Sequence, residues 1–155
     1  MEILGLAIVV LIFLLGALYL GKFSLNKEPS NLRDSFVAKA LASRMVGSLL
    51  KTNAAGCEQE TIEDILKSCA EATQICDDGQ DSCKYAEAEI GKIFSSTLEA
   101  WKKDYYFTVF VDENFPLLAL GQNCRLNKKY KSVEPGEEFV PINPGTLHVK
   151  LEICT

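Results

Sequence analysis

Six cysteines are the residues of this sequence with the clearest capacity for chemistry. They are Cys57, Cys69, Cys76, Cys83, Cys124 and Cys154. Cysteines in an oxidising compartment pair as disulfides, whereas a zinc site needs close ligand pairs such as Cys-x2-Cys, usually with histidine. The sequence has no such pair, and its one histidine, His148, is not beside two cysteines. We therefore expect a disulfide framework, with free buried thiols or a metal site as the alternatives.

The pairing of these cysteines is ranked here by local spacing, since a count of six allows many connectivities. Cys76 and Cys83 flank a polar loop that contains Gly79, so closing this loop costs little chain entropy. Cys124 and Cys154 both end strand-like segments. The predicted pairs are Cys57–Cys69, Cys76–Cys83 and Cys124–Cys154, and the main rival joins Cys57 to Cys83 and Cys69 to Cys76.

Other polar residues give weaker signals of chemistry. His148 has no carboxylate partner within its own predicted strand. Glu152 lies on the same face, but Lys150 stands between them, so the two side chains are too far apart for a catalytic pair. Asp77, Asp78 and Asp81 offer oxygen atoms to calcium, but the spacing and the final glutamate of an EF-hand are missing. No nucleotide-binding, hydrolase or zinc-protease motif occurs. We expect a surface histidine and a solvated loop, and neither enzyme activity nor a cofactor.

An uncharged apolar segment occupies residues 3–20, with the sequence ILGLAIVVLIFLLGALYL. At ~1.5 Å per residue a helix of this length measures about 27 Å, close to the hydrocarbon thickness of a bilayer. A cleaved secretory signal is the alternative, but Tyr19 stands where a cleavage site carries a small residue, and only Met1 and Glu2 precede the segment. We expect residues 1–22 to be a single-pass transmembrane anchor in contact with lipid.

Three residues of the anchor are candidates for contacts. Ala17 and Gly21 have the spacing of small residues that lets membrane helices pair. Glu2 lies at the start of the apolar helix, where the headgroups of the lipids offer the simpler environment. The anchor is therefore a candidate surface for self-association.

The orientation of the chain in the membrane has conflicting signals. Lys22, Lys27, Arg33 and Lys39 follow the apolar segment, and the positive-inside rule places such a flank in the cytoplasm. The six cysteines favour an oxidising compartment. We give the cysteines more weight and expect the soluble domain outside the cytoplasm. A net charge of −5 argues against nucleic acid as its partner.

The chain after the anchor divides into a connector, residues 23–31 with Pro29, and one α+β domain, residues 32–155. Apolar residues at helical spacing predict helices over residues 32–52, 61–70 and 85–103, the last with Trp101 on its apolar stripe. Thr61 and Asp64 have the spacing of a capping box at the start of the second helix.

The C-terminal part of this domain is rich in β-branched and aromatic residues, which predict strands over residues 105–111, 117–120, 138–142 and 146–153. In the last strand, Leu147, Val149, Leu151 and Ile153 alternate with polar residues, which is typical of a half-buried antiparallel strand. Helices followed by strands indicate helices packed on a small antiparallel sheet, stapled by disulfides.

The layout of the chain resembles that of type IV pilin-like proteins, with an uncharged N-terminal helix, an early glutamate, a second helix and an antiparallel sheet with a late cysteine. It is also similar to small membrane-anchored proteins of archaea. This resemblance covers the architecture of the whole chain and no specific motif. It implies a structural or assembly protein of the cell envelope, and the alternative is a tethered extracytoplasmic domain that binds a partner protein or a ligand.

Overall fold

The computed structural model of the protein describes residues 12–13, 30–54, 60–73, 80–127, 129–130 and 132–155. The chain forms two compact units, Met1–Arg33 and Asp34–Thr155. Ile12 and Phe13 are helical and exposed, and the rest of the predicted anchor lies outside the described residues. Across the described ranges, no helix is both long and apolar enough to span a bilayer.

From residue 30 onward, the described ranges contain three α-helices before the sheet. They are α1 (Ser30–Leu50), α2 (Ile62–Ala70) and α3 (Ser82–Phe94), and α3 continues into a π-helical turn, Ser95–Glu99. The predicted capping box at α2 is confirmed: the Asp64 N–H donates to Thr61 Oγ1 at 3.3 Å, and the Thr61 N–H donates to the Asp64 carboxylate at 3.2 Å. Asp81 caps α3 by accepting the Lys84 N–H at 3.0 Å.

The apolar stripe of α3 is confirmed except at its end. Ala86, Ile90, Phe94 and Leu98 are fully buried, whereas Trp101 is 58% exposed. The prediction of a helix to residue 103 was wrong: the helix ends in the π-helical turn at Glu99, and Trp101 lies in the turn that follows. The chain then leaves the helix at Lys102, whose φ of 54° is left-handed.

Four strands form one antiparallel sheet in the order β2-β1-β4-β3. Their bounds are β1 (Tyr105–Asp112), β2 (Phe115–Gly121), β3 (Val133–Pro141) and β4 (Thr146–Cys154). The predicted α+β class is thus confirmed. Both edge strands contain proline, Pro116 in β2 and Pro135 and Pro141 in β3, because an edge strand has a free side where the missing N–H costs little. The third strand begins earlier than predicted. Pro135 and Gly136 are uncommon inside strands, so the sequence pattern does not indicate its first half.

The core lies between the helices and one face of the sheet. As predicted, Leu147, Val149, Leu151 and Ile153 are fully buried on this inner face of β4. The Phe94 ring of α3 meets the rings of Tyr105 and Phe107 edge-on, with centroids 4.9 and 5.2 Å apart. A buried hydroxyl pair, Ser68 and Ser82, joins α2 to α3 at 3.0 Å.

Helix α1 lies directly against β3 at Gly136. A Cβ atom at this position would stand 2.3 Å from the Ser43 nitrogen and 2.4 Å from the Ala42 carbonyl carbon. Both neighbouring atoms belong to the backbone of α1, so they cannot make room for a Cβ atom unless the helix itself moves. Only glycine therefore allows this approach of the helix to the sheet.

Two disulfides occur among the described cysteines. Cys124 and Cys154 join the loop after β2 to the end of β4, with Cα atoms 5.5 Å apart, which confirms the predicted pair. Cys69 and Cys83 join the last turn of α2 to the first turn of α3, with Cα atoms 4.7 Å apart. The predicted pairs Cys57–Cys69 and Cys76–Cys83 are therefore wrong, and so is the rival, because packing of α2 on α3 outweighs loop closure. Cys57 and Cys76 lie outside the described residues.

Candidate functional site

The face of the sheet that points away from the helices carries polar, aromatic and charged side chains that lie opposite one another on neighbouring strands. We call it the outer sheet face. Strand register sets its rows: Thr108 of β1 lies opposite Lys150 of β4, and Phe110 lies opposite His148. On the other side of β4, His148 lies opposite Phe139 of β3. Polar, aromatic and charged residues thus meet on one surface.

A cavity of about 300 Å³ opens on the outer sheet face, lined by residues of β1 and β4 and of the loop after β2. Tyr106 and Thr108 line it from β1, and Lys150 and Glu152 from β4. Arg125 lines it from the loop. Glu113 also lines it, so the recess combines the rings of Tyr106 and Phe110 and the hydroxyl of Thr108 with two acidic and two basic side chains.

Glu152 is the electrostatic centre of this cavity, although it is only 3% exposed. Its Oε1 atom accepts hydrogen bonds from Arg125 Nε at 3.2 Å and Arg125 Nη2 at 2.8 Å. The Lys150 ammonium lies 3.0 Å from the same oxygen. Two cations therefore share one carboxylate. The Arg125 side chain is 63% exposed, so its free donors face water.

The loop that carries Arg125 is held over β4 by the disulfide between Cys124 and Cys154. Arg125 follows Cys124 directly, and Glu152 precedes Cys154 by two positions on the same face of the strand. The covalent link therefore brings the guanidinium to the carboxylate. Sequence reasoning missed Arg125, and the only signal for it was its position next to a cysteine predicted to pair with the end of β4.

A histidine between two aromatic rings lies beside the cavity. The His148 ring stacks on Phe110, with centroids 5.1 Å apart and planes at 14°. Phe139 meets it edge-on at 5.0 Å, and His148 Nδ1 lies 3.0 Å from Glu137 Oε1. His148 was expected to be a plain surface residue without a partner. The neighbouring strand supplies the carboxylate that its own strand could not.

Phe139 is the exposed part of this aromatic group. Its ring is 60% exposed, while Phe110 is 7% exposed. The outer sheet face thus presents an apolar ring next to a recess in which Arg125 and Lys150 are matched by the carboxylates of Glu113 and Glu152. Such a surface can hold an apolar side chain at Phe139 and a nearby group that accepts hydrogen bonds from the exposed Arg125.

The remaining predicted site residues lie elsewhere. Asp81 is the cap of α3, and Asp77 and Asp78 fall outside the described residues. Over the part of the chain that is described, no three histidine, cysteine or acidic residues are grouped as metal ligands. The anchor candidates Glu2, Ala17 and Gly21 also fall outside this part. Comparison with protein-family models, curated proteins and solved structures yields no match to this chain.

Proposed function

We propose that the protein is a membrane-tethered binding protein of the cell envelope. In this proposal residues 1–22 anchor the chain in the bilayer and the domain of residues 32–155 lies outside the cytoplasm. The observation that carries the binding role is the outer sheet face, where the exposed Phe139 ring adjoins the cavity that contains Arg125. Aromatic and arginine side chains are the residue types that dominate binding energy at protein interfaces.

The chemistry of this surface favours a protein segment as the partner. Phe139 offers an apolar ring held edge-on by His148, and Arg125 has donors that Glu152 does not use. A segment with an apolar side chain near a carboxylate would satisfy both parts. The cavity volume of about 300 Å³ is at the lower end for small-molecule pockets, which favours one inserted side chain over a complete ligand.

Site-specific photocrosslinking in intact membranes tests this proposal. A photoreactive amino acid at Phe139 should join the protein to one discrete partner, and a second change, Arg125→Glu, should remove this product. The matched control carries the photoreactive group at Glu87, an exposed residue of α3. Two results would contradict the binding role of the outer sheet face. One is the same yield of crosslinked product from Phe139 and from Glu87, and the other is a yield from Phe139 that Arg125→Glu leaves unchanged.

The second hypothesis for the function is that copies of this chain assemble with one another, as in pilin-like proteins. It depends on the anchor residues Glu2, Ala17 and Gly21. The same experiment separates the two readings, because assembly through the anchor gives crosslinks between copies from photoreactive groups at residues 17 and 21. In that case Glu2→Ala should abolish multimers while membrane insertion is kept.

A further inference from the structure

A second exposed apolar surface lies on the Asp34–Thr155 unit, on the helix side of the sheet. Phe36 and Val37, in the N-terminal half of α1, are 75% and 58% exposed. Trp101, just before β1, is 58% exposed, and the exposed Lys102 and Lys103 follow it. We call these five residues the interfacial patch.

A groove of about 260 Å³ lies between Val37 and the two lysines of the interfacial patch, and Phe36 and Trp101 are outside its lining. Val37 and Leu41 of α1 line it together with Lys102 and Lys103. The end of β4 contributes Ile153 to the same groove. Val37 and Leu41 of α1 and the two lysines therefore share one groove, and Trp101 directly precedes these lysines in the sequence.

The interfacial patch carries excess positive charge although the chain has a net charge of −5. Asp104 also lines the groove, but its carboxylate lies 3.3 Å from the Lys129 ammonium. A hydrogen bond from the Tyr130 hydroxyl, with a smaller contribution from Lys129, lowers the pKa of Asp104, so this acid is ionised and already balanced. Neither Lys102 nor Lys103 forms an ion pair with another described residue.

Exposed tryptophan and lysine side chains are common on protein surfaces that contact the membrane interface. The indole ring prefers the headgroup level of a bilayer, and lysines add attraction to anionic lipids. Ten positions separate Leu20, the end of the apolar segment, from Ser30, the first residue of α1, and a chain of this length spans at most about 35 Å. The chain thus permits the interfacial patch to reach the membrane that would hold the anchor.

We propose that the interfacial patch docks the globular unit onto the surface of an anionic bilayer. This inference rests on the proposed membrane attachment, and it leaves the outer sheet face free for a partner. Trp101 enters the headgroup region with Phe36 and Val37, and Lys102 and Lys103 meet the lipid phosphates. The domain is then held in one orientation to the membrane.

Trp101 is the one tryptophan of the chain, so its fluorescence reports this contact directly. The full-length protein is reconstituted into vesicles of phosphatidylcholine with or without phosphatidylglycerol, in which part of the acyl chains is brominated. In anionic vesicles the bromine atoms should quench Trp101 and its emission should shift to the blue. Vesicles without phosphatidylglycerol should give little quenching.

The double variant Lys102→Gln/Lys103→Gln provides the test of charge. Each lysine near an anionic surface changes the docking equilibrium about fivefold, so the variant should lower the ratio of docked to undocked protein about 30-fold. The matched control is Lys51→Gln/Lys84→Gln, which replaces two exposed lysines outside the groove. In this variant the fluorescence of Trp101 should be quenched as strongly as in the wild type.

Three results would overturn the docking proposal: no quenching in anionic vesicles, equal quenching in neutral vesicles, or quenching that the Lys102/Lys103 variant leaves unchanged. Protection of Trp101 only after addition of an envelope extract would assign the patch to a protein instead. Flotation of the vesicles separates the two proposals. Protein that fails to float contradicts the membrane anchor, whereas protein that floats with an unquenched Trp101 contradicts only the docking.

Discussion

Glu152 shows at the residue scale how the outer sheet face is organised. Its buried carboxylate is held by Arg125 and Lys150, so neutralising it removes the anion that both cations share. We expect Glu152→Gln to lower the free energy of unfolding by about 1–3 kcal/mol, because glutamine keeps the size but not the charge. Denaturant unfolding measures this loss.

The matched control for this variant is Glu87→Gln on the exposed surface of α3. It should change the free energy of unfolding by less than about 0.5 kcal/mol. Equal effects of the two substitutions would show that the charge of Glu152 does not contribute to the stability of this face.

The capping box of α2 gives a prediction for acid pH. The hydrogen bond from the Thr61 hydroxyl is the main cause that lowers the pKa of Asp64 below 3.8. The unfolded chain therefore binds a proton at Asp64 more readily than the native one. The stabilisation is present above pH 3.8 and is lost as the pH falls through the native pKa.

Thr61→Val tests this linkage, since it keeps the carboxylate but removes its main donor. We expect the variant to be less stable at neutral pH by about 0.5–2 kcal/mol, the usual worth of an N-cap. Its stability should also fall less than that of the wild type between about pH 5 and pH 2.5, measured by urea unfolding. Parallel pH curves for the two proteins would refute the role of the capping box.

Two glycines make opposite predictions at the scale of the elements. Gly136→Ala should lower the free energy of unfolding by about 2–4 kcal/mol, because its Cβ meets the backbone of α1 and the helix must move from β3. Gly91→Ala in α3 meets no atom within 4 Å and should raise stability by up to about 1 kcal/mol. Thermal unfolding of both variants checks the packing of α1 on the sheet, and a Gly136→Ala protein as stable as the wild type would contradict it.

The disulfides give a second prediction at this scale. With Cys69 bonded to Cys83 and Cys124 to Cys154, the two cysteines left in the sequence are Cys57 and Cys76. Peptide mapping without reduction should therefore recover three linked pairs, with Cys57 joined to Cys76. A peptide that links Cys69 to Cys57 would restore the pairing predicted from local spacing and contradict the packing of α2 on α3.

Comparison of sequence and structure shows which elements the pattern of residues can specify. The period of two in β4 predicted the buried face correctly, because burial on a sheet follows directly from alternation. The Cys69–Cys83 pair and the contact of Arg125 with Glu152 depend on how separate elements pack. Local spacing contains no information on that packing. His148 was misjudged for the same reason, since its carboxylate comes from β3 and not from its own strand.

At the scale of the whole molecule, the two proposals assign different surfaces to different tasks. The outer sheet face would bind a partner, and the interfacial patch on the helix side would meet the bilayer. Both require an anchor in residues 1–22 and an oxidising compartment for the domain. The two disulfides between described cysteines fit such a compartment.

Protease treatment of intact cells tests the location of the domain most directly. We expect the full-length protein to pellet with membranes, and protease added outside should remove the domain of residues 32–155 while a cytoplasmic marker stays intact. Thiol labelling of the same sample before reduction should leave Cys69, Cys83, Cys124 and Cys154 unmodified. A domain that resists protease until the cells are lysed, with thiols open to labelling, would place it in the cytoplasm and contradict the account.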